Sequence, residues 1–190
     1  MYKQCRTEQS AARQRALEQG LLETMMKCHY DEITVSDLCE YMQIPRKSFY
    51  RYFSNKEGAL HALIDHALMD FDSFSPESTV QGEKLPASEI ERLFAYWKHQ
   101  KPLLDALAGS GLSGILIQRA IDHTILENVR GMRFFSLDEP HAQEYAAMFI
   151  ASGLMSMVVQ WHHDGYTQSI QSMAHTTMRL LSHPIAEGMK

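Results

Sequence analysis

A proline inside an otherwise helical stretch constrains this chain more than any other feature. Residues 34–56 read TVSDLCEYMQIPRKSFYRYFSNK. Thr34 suits a helix N-cap, with Asp37 three residues further on. Pro45 cannot continue a helix, and it disfavours helical dihedral angles at Ile44. The sequence therefore predicts a helix through Leu38 and Met42, a break at residues 43–45, and a second short helix over residues 46–52.

This second helix has an unusual composition for its length. It carries three cations, one hydroxyl and three aromatic side chains. Two short helices joined by a tight turn, the second of them basic, are typical of a helix-turn-helix motif, whose second helix enters the DNA major groove. The stretch therefore predicts a DNA-binding module.

The spacing of residue types in this stretch resembles the signature of the TetR family of transcriptional regulators. With the preceding helix, the resemblance covers about a third of the chain, and it is specific because several residue types recur at fixed spacings. The residues that carry it are Thr34-Val35-x-Asp37-Leu38, Ile44-x-x-x-Ser48-Phe49-Tyr50-x-Tyr52-Phe53, and Lys56-Glu57-x-x-Leu60.

The resemblance implies a ligand-responsive regulator, most often a repressor, that binds a palindromic double-stranded DNA operator as a homodimer. In the family, the positions of Thr34, Tyr50, Tyr52 and Lys56 commonly touch the DNA backbone, and Arg46 has the geometry to pair with a guanine. The alternative is a co-activator or partner-binding protein of the same fold that does not itself read DNA. The expected DNA-facing residues are Thr34, Arg46, Lys47, Ser48, Tyr50, Arg51, Tyr52 and Lys56.

Two simpler interpretations of these residues stay open. The cations could form an ordinary solvated surface, and Tyr50 could pack in the core, as Phe49 and Phe53 are expected to do. Cys28 and Cys39 are expected to be small packing residues, with a redox-sensing pair as the alternative.

Charge is distributed unevenly along the chain. The net charge is −5, but residues 1–60 hold nine Lys/Arg against eight Asp/Glu, and the remainder holds nine against fifteen. A locally basic end on an acidic body fits a DNA-binding end joined to something else. The three cysteines form no even framework, the N-terminus lacks a secretory pattern, and no apolar run approaches the ~20 residues of a membrane span. We therefore expect a cytoplasmic protein without a membrane partner.

Helical periodicity continues through the rest of the chain, so the expected class is all-α. We predict a first helix over 8–29, a fourth over 56–71, a polar loop over 72–86, then helices beginning near 87, 103, 112, 141 and 170. Pro102 is expected to interrupt, and 138–140 to form a turn. The predicted domains are 1–55 (a three-helix DNA-binding domain), 56–72 (a connecting helix) and 73–190 (a helical effector-binding and dimerisation domain).

The segment 146–161, AAMFIASGLMSMVVQW, contains one strongly polar residue, Gln160. A helix that is apolar nearly all round must be buried on several faces. The resemblance implies that the last two helices of each subunit form the dimer interface, whereas the alternative is a helix buried wholly within its own subunit. The predicted interface residues are Met148, Ser152, Met155, Ser156, Val159, Met173, Thr177 and Leu180.

An effector pocket is expected in the C-terminal domain, lined by aromatic and flexible apolar side chains that suit an unidentified small molecule. Each of these side chains could instead be ordinary core. The predicted lining is Phe94, Trp97, Leu104, Leu107, Leu116, Met132, Phe135, Met148, Phe149 and Met155.

Catalytic chemistry finds little support in the sequence. Ten histidines are present, but no His-x-x-Glu-His, Gly-x-Ser-x-Gly or Cys–His pattern accompanies them. His162-His163-Asp164 falls at a predicted helix end without a nucleophile nearby. We expect no enzymatic activity, no metal site and no cofactor.

Overall fold

The computed structural model describes residues 2–73, 87–129 and 140–182. Within these ranges the regular structure is helical, apart from one isolated antiparallel bridge between Tyr2 and Phe53, so the all-α class is confirmed. The elements are α1 (Glu8–Met25), a 3-10 turn (Tyr30–Glu32), α2 (Val35–Tyr41), α3 (Arg46–Tyr50), α4 (Lys56–Ser73), α5 (Ala87–His99), α6 (Lys101–Gly109), α7 (Ser113–Val129), α8 (Pro140–His163) and α9 (Ile170–Ser182).

Several predicted boundaries were wrong. The first helix ends at Met25, because the chain then turns through His29 in an extended conformation and buries Tyr30 and Ile33. Helix α3 ends at Tyr50, two residues early, and α4 continues to Ser73. The interruption predicted at Pro102 comes two residues earlier, at Gln100 between α5 and α6, and Pro102 lies in the first turn of α6, where a helix needs no N–H donor. The rest of the predicted loop, 74–86, and the predicted end of α7 and following turn at 130–139 lie outside the described residues.

By packing, the chain divides into two compact units. The first comprises Met1–Asp70 and Pro102–Arg119, and the second comprises Phe71–Lys101 and Ala120–Lys190. The predicted domains 1–55, 56–72 and 73–190 describe a division of function rather than of packing, and they stay a prediction.

The first unit is built on a small aromatic and aliphatic core. Leu21, Leu38, Phe49, Phe53 and Leu60 are each at most 1% exposed. They come from α1, α2, α3, the segment after α3, and α4, so the short α3 is held by long-range contacts rather than by its own stability. A five-residue helix would not persist alone in water.

The turn between α2 and α3 has a defined backbone geometry. Gln43 adopts a left-handed conformation with φ of 54°, and the N–H of Ile44 donates to the carbonyl of Cys39 at 2.9 Å. Pro45 then serves as the N-cap of α3 with φ of −64°. The predicted break at 43–45 is confirmed.

Partly buried polar contacts that the sequence did not suggest join four parts of the first unit. The hydroxyl of Tyr2 donates to Asp65 at 2.7 Å, and Asp65 accepts two hydrogen bonds from Arg119. Glu18, 1% exposed, lies 2.7 Å from Nδ1 of His66. The N-terminal arm, α1, α4 and the start of α7 are therefore fixed to one another by side chains with defined geometry.

The second unit has an aromatic core. Phe94 and Trp97 of α5 and Trp161 of α8 are at most 2% exposed, and the Phe94 and Trp161 rings meet edge to face at 5.5 Å. Trp161 donates its indole N–H to the carbonyl of Gln168 at 3.0 Å, which ties α8 to the segment before α9. Gly165, with φ of 68°, turns the chain after α8.

Helix α8 corrects one sequence expectation. Among the described residues, the stretch His141–His163 has the length and apolar composition of a membrane span, although no run of that length was expected. Only 28% of its most apolar window is buried. An apolar helix that packs against other helices meets the same criteria, so this single stretch is weak evidence for a membrane. Its low burial indicates instead that α8 keeps apolar side chains exposed.

Candidate DNA-binding surface

Thr34 forms a capping box at the start of α2. Its hydroxyl oxygen accepts from the N–H of Asp37 at 3.2 Å, and its own N–H donates to the Asp37 carboxylate at 2.8 Å. These hydrogen bonds with Thr34 lower the pKa of Asp37, so the carboxylate stays ionised. Contact between the Thr34 hydroxyl and a phosphate would therefore compete with the carboxylate of Asp37.

Helix α3 exposes its polar side chains and buries one aromatic side. Phe49 is fully buried, whereas Arg46, Lys47 and Arg51 are exposed. Tyr50 is 51% exposed, so it is not a core residue. Among the residues that the structure describes, none of the three cations has an ion-pair or side-chain hydrogen-bond partner. Helix α3 therefore presents uncompensated positive charge beside a phenol, while Ser48 is half-buried.

Lys56 differs from the α3 cations because its ammonium group is already bound. Nζ donates to the carbonyl oxygen of Tyr30 at 2.5 Å and lies 4.0 Å from the centre of the Tyr30 ring. Burial lowers the pKa of Lys56. Contact with a phosphate would require the ammonium to share or exchange this partner.

Tyr30 is itself fixed by a hydrogen bond to a residue that follows α6. Its backbone N–H donates to Oγ of Ser110 at 3.1 Å, and both residues are buried. Burial also raises the pKa of Tyr30 to about 12. Ser110, which follows α6, therefore fixes the residue that binds Lys56. Nothing in the sequence points to Ser110, because a serine between two glycines indicates only a turn.

Tyr52 has little free surface for a phosphate. It is 7% exposed, and its carbonyl accepts the N–H of Lys3 at 3.0 Å. Since α3 ends at Tyr50, Tyr52 no longer follows the helical spacing that would place it beside the exposed cations.

A second exposed surface lies on α8 and α9. Tyr145, Met148 and Phe149 of α8 are 70%, 37% and 66% exposed, and Leu180 and Leu181 of α9 are 57% and 38% exposed. These five side chains, called here the apolar surface, are large and apolar, and interfaces commonly bury side chains of this kind.

The predicted dimer-interface residues divide into two groups. Met155 and Thr177 are 4% and 2% exposed, and Thr177 donates its hydroxyl to the carbonyl of Met173 at 2.8 Å, so both are part of their own subunit's core. The remaining six retain accessible surface: Met148, Ser152, Ser156, Val159, Met173 and Leu180.

The predicted pocket residues are divided between the two units, so the pocket stays a prediction. Leu104, Leu107 and Leu116 are buried in the first unit, whereas Phe94, Trp97 and Met155 are buried in the second. Met148 and Phe149 are exposed and belong to the apolar surface. Met132 and Phe135 lie outside the described residues.

The histidines form no metal-binding group in the part of the chain that the structure describes. Among these residues there is no group of three His, Cys, Asp or Glu side chains that could hold a metal ion. His163 lies 3.6 Å from Asp164, but the His163 side chain is 80% exposed, as expected for a solvent-facing pair.

Comparisons with known proteins identify the family. Residues 86–183, just over half of the chain, match the model of a TetR-type transcriptional regulator C-terminal region. No curated protein sequence matches the chain.

Solved structures share the fold. The TetR family repressor AlkX from Dietzia sp. strain DQ12-45-1b is 16% identical over 88% of this chain and 92% of its own, with a TM-score of 0.56. The fatty acid degradation regulator FadR from Bacillus halodurans is 15% identical over 96% and 98%, with a TM-score of 0.57. The dihydroxyacetone kinase operon activator DhaS is 17% identical over 89% and 93%, with a TM-score of 0.54.

Both ends of the chain therefore point to one assignment. The helix-turn-helix geometry of the first unit and the family match over residues 86–183 agree, and the relatives are regulators rather than enzymes. This chain belongs to the TetR family of transcriptional regulators.

Proposed function

We propose that this protein is a cytoplasmic, ligand-responsive transcriptional regulator that binds a palindromic operator as a homodimer. The observation that carries the proposal is the unpaired charge of Arg46, Lys47 and Arg51 on a helix whose other side is anchored by Phe49. Cations without a partner in their own chain are available to phosphates and base edges. Arg46 and Lys47 lie in the leading turn of α3, which faces the bases in helix-turn-helix proteins.

The apolar surface supports the homodimer. Tyr145, Met148 and Phe149 would keep apolar area in water in a single subunit, although burial of apolar area stabilises by about 25 cal/mol per Å². A second copy of the same surface, related by a two-fold axis, is the simplest cover. It would also give α3 twice per assembly, as a palindrome requires.

Repression is the proposed sign of regulation. AlkX is a repressor, whereas DhaS is an operon activator on the same fold, so the fold itself does not fix the sign. The second candidate, a partner-binding activator that does not read DNA, draws on the DhaS likeness and on the exposed rings of Tyr145 and Phe149.

An effector would act by binding one arrangement of the two DNA-binding ends better than another. An apolar ligand would suit the aromatic core of the second unit, but Phe94, Trp97 and Trp161 are at most 2% exposed, so binding there would require the core to open. The effector can be identified by a screen for small molecules that both raise the melting temperature of the protein and change its affinity for the operator.

Selection of bound duplexes from a random-sequence library tests the proposal. The purified full chain is expected to enrich a palindrome with half-site centres about 34–36 Å apart, or a multiple of that distance. Enrichment of no sequence, by a chain that is folded and dimeric, would overturn DNA reading and leave the partner-binding candidate.

A further inference from the structure

The N-terminal arm, residues 2–7, runs alongside Tyr52 and Phe53, just after the end of α3. The N–H of Lys3 donates to the carbonyl of Tyr52 at 3.0 Å, and Tyr2 pairs with Phe53 as an antiparallel bridge. The Tyr2 hydroxyl is fixed to Asp65 at 2.7 Å. The arm therefore has a defined position beside α3, and the side chain of Lys3 is exposed there.

Next to the arm, α1 and α3 enclose an open cleft of about 330 Å³. Its lining is mostly apolar and includes Ala16, Leu17, Ile44 and Tyr52, and two arginines and one serine complete it. The polar residues are Arg13, Ser48 and Arg51. Helix α3 contributes Ser48 and is capped by Arg51, so the cleft adjoins the proposed DNA-binding face.

Cations in this part of the chain fall into two classes. Of the nine Lys and Arg among residues 2–73, three have a partner: Arg15 with Asp70, Lys27 with Tyr41, and Lys56 with Tyr30. The other six have no side-chain partner among the described residues, and all six lie on α3, its C-cap, the arm or the first half of α1. They are Lys3, Arg6, Arg13, Arg46, Lys47 and Arg51.

We propose that the cleft and the arm form a second DNA-backbone site, in which one sugar–phosphate unit of the operator occupies the cleft and Lys3 and Arg6 bind adjoining phosphates. This inference rests on the proposed function and extends its DNA-binding surface from α3 to α1. Two guanidinium groups and a hydroxyl match the charge and hydrogen-bonding capacity of a phosphate. The apolar lining matches the deoxyribose beside it.

The contact is with the backbone and not with bases. Such contacts position a protein on DNA and strengthen binding to all sequences alike. Each neutralised phosphate makes the plot of log K against log salt steeper by about 0.9. Loss of one contact in each subunit of a dimer therefore flattens this slope by about 1.8, and at about 0.1 M salt it lowers the affinity by about 60-fold.

The matched pair Arg13→Ala and Arg15→Ala tests the cleft. Each substitution removes one positive charge from an exposed position of α1, and the two positions are two residues apart. Arg15 differs from Arg13 because it is paired with Asp70 and lies outside the cleft. Binding is measured over a salt series to the palindromic duplex recovered by selection with the wild-type protein, and to an unrelated duplex of equal length. Arg13→Ala is expected to flatten the slope on both duplexes, and Arg15→Ala to leave it unchanged.

Phosphate ethylation interference locates the contact. One phosphate per half-site, outside the bases covered by α3, is expected to inhibit wild-type binding when ethylated and to lose that effect with Arg13→Ala. The double variant Lys3→Ala/Arg6→Ala, which keeps Tyr2 and its bond to Asp65, is expected to flatten the slope about twice as much as Arg13→Ala.

The outcomes separate the two proposals. Equal slopes for Arg13→Ala, Arg15→Ala and the wild type would overturn the second backbone site and leave operator binding intact. Wild-type protein that enriches no duplex would overturn both. Loss of affinity for the palindrome alone, with no change on the unrelated duplex, would mean that Arg13 reads bases, and it would contradict the backbone assignment.

Discussion

The surface of α3 and the apolar surface of α8 and α9 are both incomplete in a single chain, but in opposite ways. Around α3 the unsatisfied groups are charges, which water solvates well, so the surface is stable without a partner and available to a polyanion. On α8 the exposed groups are Tyr145, Met148 and Phe149, which water solvates poorly. The first surface therefore predicts a partner bound reversibly and under the control of salt, and the second predicts one bound permanently.

Charge reversal at Lys47 is expected to have the largest effect of the substitutions on the α3 surface. Lys47→Glu removes one cation per subunit and adds a repulsive carboxylate, so operator affinity is expected to fall by at least about a hundredfold at about 0.1 M salt. Filter retention or fluorescence anisotropy on the selected duplex measures it. Lys98→Glu makes the same charge change in the second unit and should bind normally. Unchanged binding by Lys47→Glu would favour the partner-binding candidate.

A charge placed in the apolar surface should separate the subunits. Phe149→Glu puts a carboxylate where the proposed dimer buries a ring. This burial costs about 3 kcal/mol or more, so the dimer dissociation constant should rise by about a hundredfold. Sedimentation equilibrium measures the mass. Met69→Glu, also at an exposed large apolar residue, is the control. If Phe149→Glu stays dimeric, the interface lies elsewhere.

Removal of the Ser110 hydroxyl tests whether its hydrogen bond with Tyr30 stabilises the first unit. Ser110→Ala leaves the buried N–H of Tyr30 without its acceptor, and the free energy of unfolding should fall by about 1–3 kcal/mol. Urea denaturation measures this loss, with Ser54→Ala, at an exposed position, as the control. A loss within about 0.5 kcal/mol of the control would show that water replaces the serine.

The smallest expected effect concerns Gly20. Alanine is favoured over glycine in a helix by about 1 kcal/mol, but a Cβ at Gly20 would lie 2.2 Å from Sδ of Met42. Displacing Met42 should outweigh the propensity gain, so Gly20→Ala is expected to destabilise the fold by about 1 kcal/mol. Gly114→Ala, where the Cβ would meet open space, should be neutral or stabilising in the same thermal unfolding assay.

The sequence predicted best where chain geometry acts locally. The N-cap Thr34, the break before Pro45 and the burial of Phe49 follow from dihedral preferences and helical spacing, and all three are confirmed. Gly20 lies outside that reasoning, because helix propensity disfavours glycine at this position and only the approach of Met42 shows what a larger residue would meet.

Long-range partners could not be predicted. Lys56 was expected to be free for phosphate, but its ammonium is bound to Tyr30, which comes 26 positions earlier. Likewise Met155 and Phe149 have the same apolar character in the sequence, and only the packing of α8 buries the first and exposes the second. Tyr52 is a third case. The sequence predicted a helix through Tyr52 and a side chain that faces DNA, but α3 ends at Tyr50 and Tyr52 is buried.

The salt dependence of operator binding by the wild-type dimer tests the central claim most directly. If unpaired cations on two copies of α3 bind DNA phosphates, the logarithm of the association constant should fall linearly with the logarithm of salt concentration, with a slope that corresponds to several phosphates per subunit. An affinity for the selected palindrome that does not change with salt would contradict it.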